Sequence, residues 1–315
     1  KIKIRTLIFY RDNYYCFGTC TEQQHYGLLF LHGLCTVPIK IMVLWLIVVS
    51  LFFGILFRFL FFHHQKGFVK SFKHVMCIES NHGTDLSAVR ALFVTAHPDD
   101  ECMFFAPTII QLVQFNASVN LLCLSEGNYY NQGSLRKEEL LNSCAVLGIQ
   151  GSKVSIIVDK NFPDDPNAQW SISLVSSVVS KHIKMNSINL VLTFDGRGVS
   201  GHVNHTAIYK AVRCQHKINL ILCVCANSDC CLLSLETVGV IRKYLSLLEL
   251  PLSWLLPSSV CCMIGLEGYR QAKAAMLCHR TQLLWFRYLY VMFSRYMFVN
   301  TFHIIPQGPK NLKMY

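Results

Sequence analysis

The sequence is short of charge: only 15% of its 315 residues are Asp, Glu, Lys or Arg, while 52% are hydrophobic. It also lacks a concentrated basic stripe, since no basic run is longer than the pair Arg136-Lys137. Nucleic-acid-binding domains gather Lys and Arg on one face. The formal net charge of +11 is spread along the chain instead, which argues for no nucleic-acid partner and suits attraction to an anionic membrane surface. There is no internal repeat and no low-complexity tract, which excludes solenoid architectures. Cysteine is not scarce, with 15 residues, but the spacing of a zinc knuckle or disulfide framework is missing. Cys230-Cys231 and Cys261-Cys262 are adjacent pairs, and Cys123, Cys144, Cys223 and Cys225 sit in apolar runs, where thiols behave as small hydrophobes. Reduced thiols favour a cytosol-facing domain. Two glycosylation sequons, Asn116-Ala-Ser and Asn204-His-Thr, favour the same face, because a glycan on the second would obstruct the site assigned below.

One long apolar run is present. From Ile39 to Phe62 the ionisable residues are Lys40 and Arg58 alone, and the run approaches the ~20 residues that cross a bilayer core. It is too long for a signal-peptide core and no small-residue cleavage site follows it. The expectation is one N-terminal transmembrane helix over 39–62. It is preceded by a leading segment, 1–38, to which no function is assigned, and followed by a polar linker over 63–89. Basic residues flank the run almost equally, so charge alone does not orient it.

Beyond the linker, strand-like and helix-like segments alternate. Strands are expected at Arg90–Thr95, Ser118–Leu124, Val154–Val158, Asn189–Phe194 and Ile218–Cys225. Helices are expected near Cys102–Gln114, Ser134–Leu147, Gln169–Met185, Val203–Gln215, Gly268–Cys278 and Thr281–Met297. Ser134 and Glu138 supply a capping-type start and Gly148 a stop. This alternation predicts an α/β fold, Rossmann-like, with a mostly parallel sheet and helices on both faces. The catalytic domain is placed at 90–301 and a C-terminal tail at 302–315. The aromatic-rich run Thr281–Met297 reads either as core or as a face lying along a membrane.

Ligand sites in open α/β sheets lie beyond the carboxyl ends of the strands. Two strands here end in metal-ligand residue types. The first runs into His97-Pro98-Asp99-Asp100-Glu101. The fourth runs into Asp195, a glycine-rich turn containing Arg197, and then His202-Val203-Asn204-His205. Histidines three apart share one face of a helix. An imidazole pair plus a carboxylate, with one position open, is the donor set of a catalytic zinc site, and the acidic run supplies a spare carboxylate as general base. Taken singly, each cluster also reads as a capped turn or a surface loop; their joint placement at strand ends favours a site.

Ala96-His97-Pro98-Asp99-Asp100-Glu101 and Gly201-His202-Val203-Asn204-His205 resemble the two signature motifs of the N-acetylglucosaminyl-phosphatidylinositol de-N-acetylase family, related to bacterial mycothiol-pathway deacetylases. The resemblance covers roughly Arg90 to Thr301 and includes Ser125-Glu126-Gly127-Asn128, Arg136-Lys137-Glu138-Glu139 and the run from His279 to Tyr290. It implies a zinc-dependent N-deacetylase of the amidohydrolase type, acting on a glycolipid held in the endoplasmic reticulum membrane, single-pass, with its catalytic domain in the cytosol. It further implies His97, Asp100 and His205 as zinc ligands (Zn2+, or another divalent cation), Asp99 as the base, and His202 as the protonated oxyanion partner. Asn204 stands where bacterial relatives carry Asp, and is expected to orient the neighbouring imidazole. Tyr129-Tyr130-Asn131-Gln132 replaces a smaller, glycine-rich loop. Arg136 and Arg197 are the candidates for binding substrate. Two rivals remain: a deacetylase of another N-acetylglucosamine conjugate, and a membrane scaffold that keeps the fold without catalysis.

Overall fold

The computed structural model describes residues 5–11, 14–20, 22–76, 85–165, 167–222, 230–249, 253 and 256–305. The chain divides into two units, Lys1–Phe62 and His63–Tyr315. The first contains an antiparallel hairpin of β1 (Arg5–Arg11) and β2 (Tyr14–Cys20). Helix α1, Glu22–Val75, begins in it and ends in the second unit. The side chains from Ile41 to Leu56 are exposed along that helix. Among the described residues no helix is long and apolar enough to cross a membrane. The transmembrane helix expected over 39–62 is therefore not recovered as a span. The last turns of α1 also differ from the expected polar linker: Phe68, Val69 and Phe72 are buried, and Phe68 stacks on Phe115 with ring centroids 5.8 Å apart.

The second unit is built on a seven-stranded sheet. Its strands are β3 (Arg90–Thr95), β4 (Ser118–Cys123), β5 (Val154–Ile156), β6 (Leu190–Phe194), β7 (Cys231–Leu235), β8 (Val260–Met263) and β9 (Val299–Ile304), in the order β5-β4-β3-β6-β7-β9-β8. The first five pair in parallel; β9 is antiparallel to both β7 and β8. β3 and β6 are continuous apolar runs, buried along nearly their whole length, as a parallel strand covered on both faces must be. Around the sheet lie α2 (Asp100–Phe104), α3 (Ala106–Gln114), α4 (Gly133–Leu147), α5 (Ile172–Met185), α6 (Gly198–Gly201), α7 (Val203–Leu222), α8 (Val240–Lys243), α9 (Leu266–Cys278) and α10 (Trp285–Phe293). The chain runs outward from β3 to β5, then returns to add β6 on the other side of β3. The sheet thus switches direction between β3 and β6, where a crevice opens at the carboxyl ends.

The expected mixed α/β architecture is present, with local differences. The helix expected over Cys102–Gln114 is two helices interrupted at Phe105, with Pro107 in the first turn of the second. α4 carries no side-chain cap from its own first turn; the Gly133 N–H instead donates to Asn128 Oδ1 at 2.9 Å. The strand expected over Ile218–Cys225 is displaced: α7 continues through Leu222, and the sheet strand is Cys231–Leu235. Residues 223–229 lie outside the described set. The aromatic run Thr281–Met297 is broken into a short helix flanked by single 3-10 turns.

Candidate active site

His97 and Asp99 follow β3, and Asp100 opens α2. Asp99 adopts φ 119°, a left-handed conformation rare for a residue with a side chain and a sign of strain stored near a functional site. That twist lets two adjacent carboxylates point differently. Asp100 Oδ2 accepts from the backbone N–H groups of Ala96 and His97, both at 2.9 Å, and Oδ1 lies 3.2 Å from His205 Nε2. Asp99 Oδ2 instead meets Arg287 Nη2 at 3.0 Å. Burial opposes ionisation of Asp100, but His205 and the hydrogen bonds outweigh it and hold its carboxyl well below the usual range. For Asp99 burial wins against Arg287, pushing it up to about 6.

The opposite wall comes from the loop after β6. Gly198 has φ +61° and a Cβ there would stand 2.9 Å from His205 Cβ, so glycine is required for the loop to fold back onto the histidine. Val199 is also left-handed, at φ 60°, and its N–H donates to Thr237 Oγ1 at 2.8 Å. Asp195 anchors this turn: its carboxylate accepts from Thr237 and from the backbone of Arg197 and Gly198.

His205 lies flat on Phe194, with ring centroids 3.8 Å apart. Its Nδ1 is 3.0 Å from the Gly198 carbonyl, which can only accept, so Nδ1 carries a proton and Nε2 is the nitrogen turned to Asp100. Burial opposes protonation of the ring, but the Asp100 charge outweighs it and raises the proton affinity. That Nε2 is buried without a hydrogen bond, although Asp100 Oδ1 stands 3.2 Å away. A ring nitrogen and a carboxylate oxygen facing one another are the geometry of two ligands aimed at one cation, whether a proton or a metal. His97, His202 and His205 complete the cluster, each offering a ring nitrogen within 4.8 Å of the others. The donor set therefore fits a divalent metal of the zinc type. A second group of ligand types, Glu101, Cys102 and His279, is already satisfied. Glu101 Oε1 sits 2.7 Å from His279 Nε2 and 2.5 Å from Ser143 Oγ, and burial raises the Cys102 thiol well above its usual range.

The remaining expected residues take different places. The Asn204 side chain turns away from His202 and reaches His97 Nε2 at 3.2 Å, while its backbone N–H meets His202 Nδ1 at 3.3 Å. Asn204 is also fully buried, so the second sequon is inaccessible in the folded chain. His202 is half-buried; burial and His205 lower its proton affinity, in contrast to the protonated partner expected from the sequence. Arg136 lines the cavity, but its guanidinium is engaged, donating to Gly127 O, Asp164 Oδ2, Pro98 O and Gln282 Oε1 at 2.9 to 3.0 Å. Gly127 makes this possible, since a Cβ there would lie 2.5 Å from Arg136 Cζ. Arg197 is exposed, donates to Thr237 O, and does not line the cavity. Sequence reasoning missed Asp164, 3.2 Å from His97 Nε2, and Arg287. Asp164 lies in an irregular loop with no pattern to mark it. Arg287 left a signal, a cation set between aromatic residues in the run Trp285–Tyr290.

The cluster forms the inner end of a cavity of about 910 Å³. Tyr129, Tyr130, Tyr244, Trp285, Phe286 and Phe293 line its outer part, and each is substantially exposed. Of the expected aromatic run, Tyr290 and Tyr296 are buried, while one face of α10 is open.

Comparison with known proteins agrees with this arrangement. The family model described as PIG-L, GlcNAc-PI de-N-acetylase, matches residues 92–215. The N-acetylglucosaminyl-phosphatidylinositol de-N-acetylase of Bos taurus is 49% identical over 216 residues, covering 69% of this chain and 83% of the relative. The probable enzyme of that name from Dictyostelium discoideum is 35% identical over 236 residues, covering 67% and 92%. Among solved structures, the N,N'-diacetylchitobiose deacetylase of Pyrococcus horikoshii shares the fold, with a TM-score of 0.51 at 16% identity over 77% of this chain and 92% of that one.

Proposed function

Since the chain belongs to the family of N-acetylglucosaminyl-phosphatidylinositol de-N-acetylases and is a hydrolytic N-deacetylase, we propose that it removes the acetyl group from N-acetylglucosaminyl-phosphatidylinositol. The products are acetate and the glucosaminyl lipid, the second step of glycosylphosphatidylinositol-anchor assembly. The observation that carries this reading is the juxtaposition of a buried His/Asp cluster with an aromatic outer wall in one cavity. A headgroup reaches the cluster while its lipid stays against apolar rings.

His97, Asp100 and His205 are the residues that hold zinc. Asp100 is preferred over His202 as the third ligand because it is buried and clamped by two backbone donors, whereas His202 is half-buried and faces the substrate space. Bound there, the metal polarises the amide carbonyl and acidifies water. Asp99, buried and free of the metal-facing hydrogen bonds, takes the proton of the attacking water. His202 accepts from the Asn204 N–H at Nδ1, so its Nε2 carries the proton of the neutral ring. That N–H stabilises the oxyanion, and the proton Asp99 took from water is the one passed to the departing amine. Asn204 steadies His97, and Arg136 ties the loop after β4 to Asp164 and to Pro98. The substrate lipid places the enzyme at the endoplasmic reticulum membrane, with the thiol-rich domain on the cytosolic side.

Turnover with purified N-acetylglucosaminyl-phosphatidylinositol tests this reading. Release of acetate from it, and not from unlipidated N-acetylglucosaminides alone, supports the reading; turnover indifferent to the lipid points to another amino-sugar conjugate.

A further inference from the structure

Three cations line the cavity: Arg136, Lys243 and Arg287. Arg136 is engaged by four acceptors, and Arg287 by Asp99. Lys243, the last residue of α8, is half-buried and faces no carboxylate among the described residues; its ammonium stands 5.8 Å from the Tyr244 ring centroid. Burial and the charge of Arg287 lower its proton affinity, so an anion placed beside it is stabilised. At the inner end Asp99 and Asp164, paired with Arg287 and Arg136, stand beside Asp100 and the histidines.

We propose that Lys243 is a specificity-determining residue that binds the phosphodiester of the substrate, with Arg287 adding to the field. This inference rests on the functional reading above. In that substrate the acetamide-bearing sugar is joined to an inositol, and a phosphodiester joins the inositol to the lipid. Asp99 is engaged by Arg287 and Asp164 by Arg136, which leaves Lys243 as the cavity cation with no acidic partner among the described residues. A cavity of about 910 Å³ has room for the second ring beyond the sugar. The phosphate is thereby directed to the unpaired ammonium beside the aromatic wall, where the acyl chains begin.

The test compares two substrates in detergent micelles with the full chain loaded with zinc: N-acetylglucosaminyl-phosphatidylinositol and the uncharged octyl N-acetylglucosaminide. Wild type favours the phosphodiester in kcat/KM. In Lys243→Gln that preference falls about 10-fold or more, the loss expected of a hydrogen bond to a charged group, and it falls through KM. Lys243→Arg keeps most of the preference, and so does Lys181→Gln, which removes the same net charge from the exposed face of α5. Retention of the full preference in Lys243→Gln, or an equal loss in Lys181→Gln, overturns the assignment while leaving the functional reading intact. A wild type that deacetylates the octyl glycoside but ignores the phosphodiester overturns both.

Discussion

Asp99 and Asp100 are covalent neighbours with opposite proton affinities, and the division of labour between them follows from their partners. Asp100 is held ionised by His205 and two backbone donors; for Asp99 burial outweighs Arg287, the largest of the opposing charges, and pushes it up to about 6. A base must be ionised to work, so kcat/KM falls as pH drops through about 6. Arg287 favours the carboxylate, so Arg287→Met raises the Asp99 pKa further and moves the acid limb of the pH profile upward; an unmoved limb would dissociate Asp99 from it. The metal set predicts that Asp100→Asn binds substoichiometric zinc while His202→Ala retains it, measured by elemental analysis of the purified variants. Asp100 and His202 both stand in the sequence motifs, and what distinguishes them is burial and the two backbone donors that hold Asp100.

At the scale of elements, α2 is held to α9 and α4 by a buried pair rather than by apolar packing alone. Glu101 and His279 are fully buried, and breaking such a pair costs on the order of 3–5 kcal/mol. Glu101→Gln therefore lowers the unfolding midpoint markedly. The pH sign follows from the two shifts: His279 is raised and Glu101 lowered, each against the cost of burial. The pair's contribution is lost on the alkaline side as pH rises through the raised histidine value, and on the acid side as it falls through the lowered carboxyl value. Guanidinium unfolding across pH reads both limits. At the end of α1, Phe72 is fully buried, and Phe72→Ala costs about 3–5 kcal/mol by cavity formation, measured in the same way. Periodicity made β3, β4, β6 and α5 legible because each is a regular run with one environment along its length. It failed after α7, where Ile218–Leu222 is apolar enough for a strand yet continues a helix, since short apolar runs carry no distinguishing period. It gave no sign of the four acceptors around Arg136, or of Lys243, which nothing in its local pattern distinguishes.

For the whole molecule, the site lies at the sheet's switch point and its outer wall is aromatic, so chemistry and lipid access share one opening. Exposed Trp285 and Phe286 on α10 favour the membrane interface, where amphipathic rings settle. Replacing both with Ser reduces turnover of vesicle-borne substrate far more than turnover of short-chain monomeric substrate, and an equal reduction of both would place these rings in folding instead. The central claim is that a metal held at His97, Asp100 and His205 works with Asp99 to deacetylate this glycolipid. The most direct measurement is acetate release from radiolabelled N-acetylglucosaminyl-phosphatidylinositol by wild type and Asp99→Asn, each chelated and then resupplied with zinc. The account predicts that zinc restores wild-type release and that Asp99→Asn, folded and zinc-replete, stays lower by roughly 10²–10⁴-fold. Release that survives chelation, or an Asp99→Asn enzyme as fast as wild type, would contradict it.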